Sequence, residues 1–242
     1  MFKKTLACML AVCLSVIALL TLLQPSKQSV AEESEERLYL LEGFVIATEE
    51  DAFLLQTTDG QQYLVHWSND PFDPVMPGDA VRLTYDGMLS RSIPPQVTAS
   101  ELLSRKETGT VEEVSEDRQQ IRLLTQDDTL LTISMDELLE GENGSLTEGE
   151  EVTVYLDLRE EEEGLTALHV RPASTLQGTI LGVEDGMLEL ETENGLVLVR
   201  ITESTLQLVS PEVGQSVCVV PSGTMMLSEP AVYTALEVYS AD

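Results

Sequence analysis

Thr98-Ala99, Thr166-Ala167 and Thr234-Ala235 stand 68 residues apart, each heading an alternating apolar segment. Recurrence at a fixed period marks one structural unit written three times. Turns repeat on the same scale, with Asp59-Gly60, Asp127-Asp128 and Asn194-Gly195 falling 68 and 67 residues apart. Gly and Asn accept the positive φ of a tight two-residue turn, so each landmark predicts a β-hairpin. Beyond the first turn Tyr63, Val65 and Trp67 share parity, and their counterparts are Leu131, Ile133, Met135 and Val197, Val199, Ile201. A strand alternates faces with period two, so this apolar face is assigned to the core in every copy.

Two further strands recur. One starts at Gly43-Phe44-Val45, Gly109-Thr110-Val111 and Gly178-Thr179-Ile180; a later one reads Gly78-Asp79-Ala80-Val81-Arg82-Leu83, Gly149-Glu150-Glu151-Val152-Thr153-Val154 and Gly214-Gln215-Ser216-Val217-Cys218-Val219. Between the third and fourth strands the alternation breaks over residues 70–77, 135–140 and 202–208, and the last two segments can hold a helical turn. Strand, strand, strand, short helix or loop, strand, strand within about 68 residues fits a five-stranded OB-like barrel; an immunoglobulin-like sandwich needs about 100. An SH3-like barrel is the structural alternative. The fold class is therefore all-β, with three tandem barrels over 38–104, 105–172 and 173–242, after a leader over 1–31 and an acidic linker over 32–37. Junctions around residues 104–107 and 172–175 lack a Gly/Ser or Pro-rich tether, so the barrels are expected to pack against one another as a rod or a cluster.

Lys3-Lys4, an apolar run from Leu6 to Leu23 and Ser29-Val30-Ala31 describe a signal peptide cut after Ala31. The run is also long enough for an uncleaved membrane anchor, and Cys13 after Leu10-Ala11-Val12 loosely suggests lipid attachment. All three options place the rest of the chain on the extracellular side of a bacterial cell envelope. Without residues 1–31 the chain keeps 10 basic and 43 acidic residues, a net charge of −33. Charge of that size keeps an exported protein soluble and repels polyanions, so nucleic acid is excluded as an expected partner. Cys218 is then the one remaining cysteine, which leaves no intrachain disulfide.

The first copy also carries Gly78-Asp79-Ala80-Val81-Arg82-Leu83-Thr84-Tyr85-Asp86-Gly87 followed by Ser92-Ile93-Pro94-Pro95-Gln96-Val97-Thr98-Ala99. This stretch resembles an uncharacterised Gram-positive family of small secreted or lipid-anchored OB-like β-domains. The third copy retains Gly223, Ser228, Pro230 and Ala235, whereas the second has Glu160 and Glu162 where serine and proline would stand. The resemblance implies an exported OB-like module of no settled biochemical activity.

Chemistry-bearing residues are sparse. His169 occupies the position of Glu101 and Glu237 in the other copies, opposite Leu168 and Val170, and is expected on a solvated surface. His66, between Val65 and Trp67, is expected to point outward, and Trp67 to lie in the core. Cys218 aligns with Arg82 and Thr153 on an outward face, covered by a neighbouring repeat or left as a reactive thiol. No zinc-ligand set, H-E-x-x-H pair, G-x-S-x-G elbow, phosphate loop or EF-hand spacing occurs, so no catalytic, cofactor or metal residue is assigned. The acidic run over residues 160–163 reads as a charged turn, and Asn143-Gly144-Ser145 as a chance glycosylation triplet. The function expected is a non-enzymatic envelope protein presenting three barrels to an unknown protein partner or cell-wall component, with N-terminal membrane association. Binding of wall polysaccharide or divalent cations is the alternative, and a carboxylate-based hydrolase comes last.

Overall fold

A computed structural model describes residues 38–67, 74–135, 146–159, 164–226 and 228–241. The leader, the acidic linker, residues 70–73 and 136–140, the triplet Asn143-Gly144-Ser145 and the acidic run over residues 160–163 lie outside the described residues. Strands β1 (Tyr39–Glu49), β2 (Ala52–Gln56), β3 (Gln62–His66), β4 (Ala80–Tyr85) and β5 (Gln96–Leu102) close a barrel in the order β1-β2-β3-β5-β4. The second barrel repeats that order with β6 (Ser104–Val114), β7 (Gln120–Thr125), β8 (Leu130–Met135), β9 (Glu151–Asp157) and β10 (Leu165–Pro172). The third uses β11 (Leu176–Glu184), β12 (Met187–Thr192), β13 (Gly195–Arg200), β15 (Ser216–Met226) and β16 (Ala231–Ser240), with the two-residue β14 (Leu206–Gln207) laid beside β16. Each ring closes through one parallel pairing of its third and last strands, at Val65↔Val97, Ile133↔Leu165 and Val199↔Tyr233. This is the order of an OB-type barrel, which decides against the SH3-like alternative.

The repeated residues take equivalent places. In each copy the first strand bends to pair with two neighbours, and a glycine sits at the bend: a Cβ on Gly43, Gly109 or Gly178 would meet the carbonyl oxygen of Gln56, Leu124 or Glu191 at 2.3, 2.3 and 2.4 Å. The ladders then skip Ile46, Glu112 and Leu181, bulges that increase the coiling. Ahead of the fourth strand, Gly78, Gly149 and Gly214 take φ of 86°, 83° and 90°. Their amides donate to Val45, Val111 and Ile180 at 2.7, 2.8 and 2.8 Å, which ties that turn to the first strand. In the last strands Ala99, Ala167 and Ala235 pair with Tyr85, Leu156 and Pro221, and in every copy the ladder skips the residue that follows the alanine.

Each barrel encloses its own apolar core. Val45, Leu55, Val65 and Leu83 fill the first, Val111, Ile121, Leu123 and Ile133 the second, and Ile180, Leu188, Leu190 and Val199 the third. Tyr63 and Trp67, Leu131 and Met135, and Ile201 pack against these cores from the face that their parity assigned them. Truncating one such Leu or Ile to Ala costs about 2–5 kcal/mol.

Two expectations change. Residues 202–208 form no helix: Thr205 N donates to Thr202 O at 3.1 Å in a single turn, and the chain then extends so that Leu206↔Glu237 and Gln207↔Val238 pair. The extended course delivers Leu206 and Leu208 to an apolar cluster with Val220 and Tyr239, contacts that one helical turn would not make. The stretch over residues 104–107 is no junction either, because these residues begin β6 and pair with β9 from Asp157 to Val154.

Candidate functional site

Where the three barrels meet, outward-facing polar side chains become buried. Asp79, in the turn before β4, receives Tyr155 Oη at 2.9 Å, Lys106 Nζ at 3.1 Å and the Met76 amide at 2.9 Å. From β10, Arg171 donates to Gly78 O at 2.9 Å and to Glu237 Oε2 of β16 at 3.1 Å. Its guanidinium carbon lies 5.4 Å from the Tyr155 ring centre and 5.1 Å from that of Tyr239, a cation held between two π faces. His169 Nε2 sits 2.6 Å from Glu237 Oε1, and the Phe44 ring meets the His169 ring edge-on at 5.0 Å. On the flank, Arg82 bridges Asp157 and Glu42, while Arg159 reaches Asp157 at 2.8 Å. Phe44 and Ile46 of the first barrel pack against Leu208, Val220 and Tyr239 of the third. The three barrels therefore form a cluster rather than a rod.

Charge sets the titration of this junction. Burial works to raise the Glu237 carboxyl, but the hydrogen bond from His169 and the nearby Arg171 outweigh it and hold the group below the ordinary carboxylate value. Burial likewise opposes the charge on Arg171, and Tyr155 with Glu237 more than offsets it. Burial and the Asp79 carboxylate push Tyr155 well above the usual tyrosine range, and burial pushes Tyr239 up to about 12. These pairings join the three barrels at the junction.

The second feature is an open surface on the first barrel. The loop from Asp86 to Pro95 between β4 and β5 is tied down by its own polar groups: Met88 N donates to Asp86 Oδ1 at 2.9 Å, Gln96 N to Ser90 Oγ at 2.7 Å and Ser92 Oγ to Pro94 O at 2.7 Å. The Ile93-Pro94 peptide is cis, as is Glu229-Pro230 in the third barrel, where Ser228 Oγ donates to Pro230 O at the same 2.7 Å. Held this way, the loop exposes Met88 at 73% and Ile93 at 99%, with Leu89 beside them. A cleft of about 320 Å³ runs under it, lined by His66, Asp86, Met88, Ser90, Gln96 and Thr98 among others. The β1–β2 turn at Glu50 and Asp51 lies at the C-terminal end of β3, where Ala52 pairs with His66 and Trp67 N donates to Asp51 O at 3.1 Å, whereas the β4–β5 loop enters β5 at Gln96, level with Leu64.

The residues singled out from sequence fall on both features. His66 is exposed at the cleft with Nε2 3.2 Å from Gln96 Oε1. His169 is corrected: it is 5% exposed and not on a solvated surface. Its strand faces it away from its own core, but the neighbouring barrels cover that face. Cys218 is half-buried beside Tyr239, and burial raises its thiol. Lys106, the sole lysine after the leader, is engaged by Asp79. Asp79, Tyr155, Arg171 and Glu237 were not singled out by sequence reasoning; the signal available was the occupation of equivalent positions by His169 and Glu237. Among the described residues no three or more His, Cys, Asp and Glu side chains gather to hold a metal ion.

No protein-family model matches the chain, and no curated protein does. Among solved structures it is similar to a multidomain protein with nucleic acid binding domains from Streptococcus pneumoniae TIGR4, at 15% identity over 81% of this chain and 72% of that one, TM-score 0.23. It is also similar to Drosophila Unr CSD456, at 14% identity over 85% of this chain and 98% of that one, TM-score 0.22. The expected exclusion of nucleic acid as a partner does not stand. It rested on net charge alone, a sum over the whole surface that says nothing of a single barrel face.

Proposed function

We propose that this chain is a non-enzymatic, exported envelope protein whose three-barrel cluster presents the β4–β5 loop of the first barrel to a protein partner. The observation that supports this reading most is Ile93, 99% exposed on a loop whose backbone is fixed by Asp86, Ser90 and Ser92. An apolar side chain held out in water by a rigid loop costs solubility and supplies a preorganised anchor for an interface. OB-type barrels use this loop and the neighbouring strand face for binding. The buried junction gives the loop a fixed platform, and the pairing of its charges favours a structural over a catalytic role. Export rests on the leader, whose basic start, apolar run and Ser29-Val30-Ala31 site read as a signal peptide or anchor.

The test is capture from envelope extract with the full chain against its Ile93→Ser form. A protein recovered by the first and lost with the second is the expected result. Identical recoveries would remove the loop from the reading.

A further inference from the structure

The third barrel carries a second surface, separate from the β4–β5 loop, whose chemistry departs from that of the other two copies at equivalent positions. Just past the bulge in each first strand, the ladder to the second strand pairs Ala47 with Leu54, Glu113 with Arg122 and Gly182 with Glu189. The second barrel closes its charged pair internally, Arg122 Nη1 donating to Glu113 Oε2 at 2.8 Å. The third has glycine where the second has one half of that pair. A Cβ on Gly182 would meet Glu189 Oε2 at 3.0 Å, so the carboxylate lies over bare backbone. Among the described residues no cation is paired with Glu189 or with Glu191, the next residue of β12 on the same face. Arg200, on this face opposite Met187, is not a partner of either.

Apolar side chains flank these carboxylates in the strand register itself. Glu189 pairs with Leu198 of β13 and Glu191 with Leu196, and directly opposed residues stand about 5 Å apart at Cβ. Leu181 bulges from β11 one residue before Gly182, and Val213 comes close to it because Gly214 N donates to Ile180 O at 2.8 Å. Leu181, Leu196 and Val213 are 46%, 45% and 68% exposed. Glu191 also lines a cleft of about 500 Å³ with Thr179, Thr192, Asn194 and Ser216 among others. Apolar surface and unpaired carboxylates thus share one open sheet face.

We propose that this face docks a segment of a protein partner that carries Arg or Lys side chains beside apolar ones, its cations on Glu189 and Glu191 and its apolar groups on Leu181, Leu196 and Leu198. The internal Glu113–Arg122 pair shows the kind of group that completes this position of the repeat, and in the third barrel it must come from outside. Charge of the opposite sign also orients such a partner on the face. A nucleic acid or an anionic bilayer would set phosphates against the same carboxylates. A second copy would bring a net charge of −30 against its own like.

The experiment is fluorescence anisotropy of a labelled twelve-residue peptide of repeated Arg-Arg-Leu-Leu, titrated with the full chain at about 150 mM salt to screen unspecific attraction. Glu189→Gln with Glu191→Gln is expected to weaken binding about tenfold, and Leu196→Ser about fivefold. Glu49→Gln with Glu50→Gln, at exposed positions of the first barrel, removes the same charge and is expected to leave the affinity within about twofold of the parent. All these side chains are exposed, and circular dichroism of each variant checks that the fold is kept. Equal weakening by the two double variants would overturn the proposal, because net charge alone would then account for binding. So would the absence of saturable binding, or an Arg-Arg-Ser-Ser peptide, a Glu-Glu-Leu-Leu peptide or an oligothymidine bound as tightly as the Arg-Arg-Leu-Leu peptide. Self-association in sedimentation that Leu196→Ser abolishes would overturn it as well, since a second copy would then be the occupant.

Discussion

His169 Nε2 lies 2.6 Å from Glu237 Oε1, and the two residues hold the same position in successive copies of the repeat, 68 residues apart. A position that faces away from the core in each barrel has become, in two of them, the two halves of one buried contact. Glu237 is 2% exposed and also carries Arg171.

Removing the carboxylate should therefore be costly. Glu237→Ala leaves Arg171 and His169 buried without their shared partner, and breaking such a pair costs about 3–5 kcal/mol. Thermal unfolding should show this as a large loss. The equivalent Glu101→Ala, on an exposed position, should stay within about 0.5 kcal/mol of the parent.

The same carboxyl gives the fold an acid limb. Its folded value lies below the ordinary 4.5, so the unfolded chain takes up the proton first. Its contribution is complete above about pH 4.5 and is lost as pH falls through the lower folded value. Asp157, held down against burial by Arg159 and Arg82, acts with the same sign. A melting-temperature profile from about pH 7 down to about pH 3 should fall most steeply below 4.5, and Glu237→Gln should flatten it.

At the bend of β6, Gly109→Ala would drive a Cβ into the Leu124 carbonyl, 2.3 Å away. Backbone on the facing strand cannot give as a side chain would, so a loss of at least about 2 kcal/mol is expected in denaturant unfolding. Gly43→Ala and Gly178→Ala should behave alike if the three copies share one geometry.

Thiol labelling reports the cover over the third barrel. Cys218 is half-buried against Tyr239 and Leu208, and burial raises its thiol. A thiol reagent at about pH 8 should react with the native chain at least about tenfold more slowly than with the denatured chain. Equal rates would mean that the outward face of β15 is open.

Local patterns were legible and contacts between barrels were not. The parity of Val65, Ile133 and Val199 and the turns at Gly60, Asp128 and Gly195 follow from strand period and positive φ, both properties of a few consecutive residues. Parity also says correctly that His169 faces away from its own core, but nothing local says that another barrel covers it. Tyr155 and Arg171 acquire partners 76 and 66 residues away, at Asp79 and Glu237, and no spacing rule links such positions. Residues 202–208 depart from their sequence reading for the same reason, since their course is set by Val220 and Tyr239. The Ser-x-Pro stretches were visible, and their shared role as a turn emerges only from matching hydrogen bonds at Ser92 and Ser228.

The dependence of one barrel on its neighbours is the most direct test. Residues 105–172 alone keep the core of Val111, Ile121, Leu123 and Ile133, but Tyr155, His169 and Arg171 lose Asp79, Glu237 and the Tyr239 ring. Scanning calorimetry of that fragment beside the full chain should give the fragment the clearly lower melting temperature. Equal melting temperatures would show that the junction contributes nothing and that the three barrels are merely strung together.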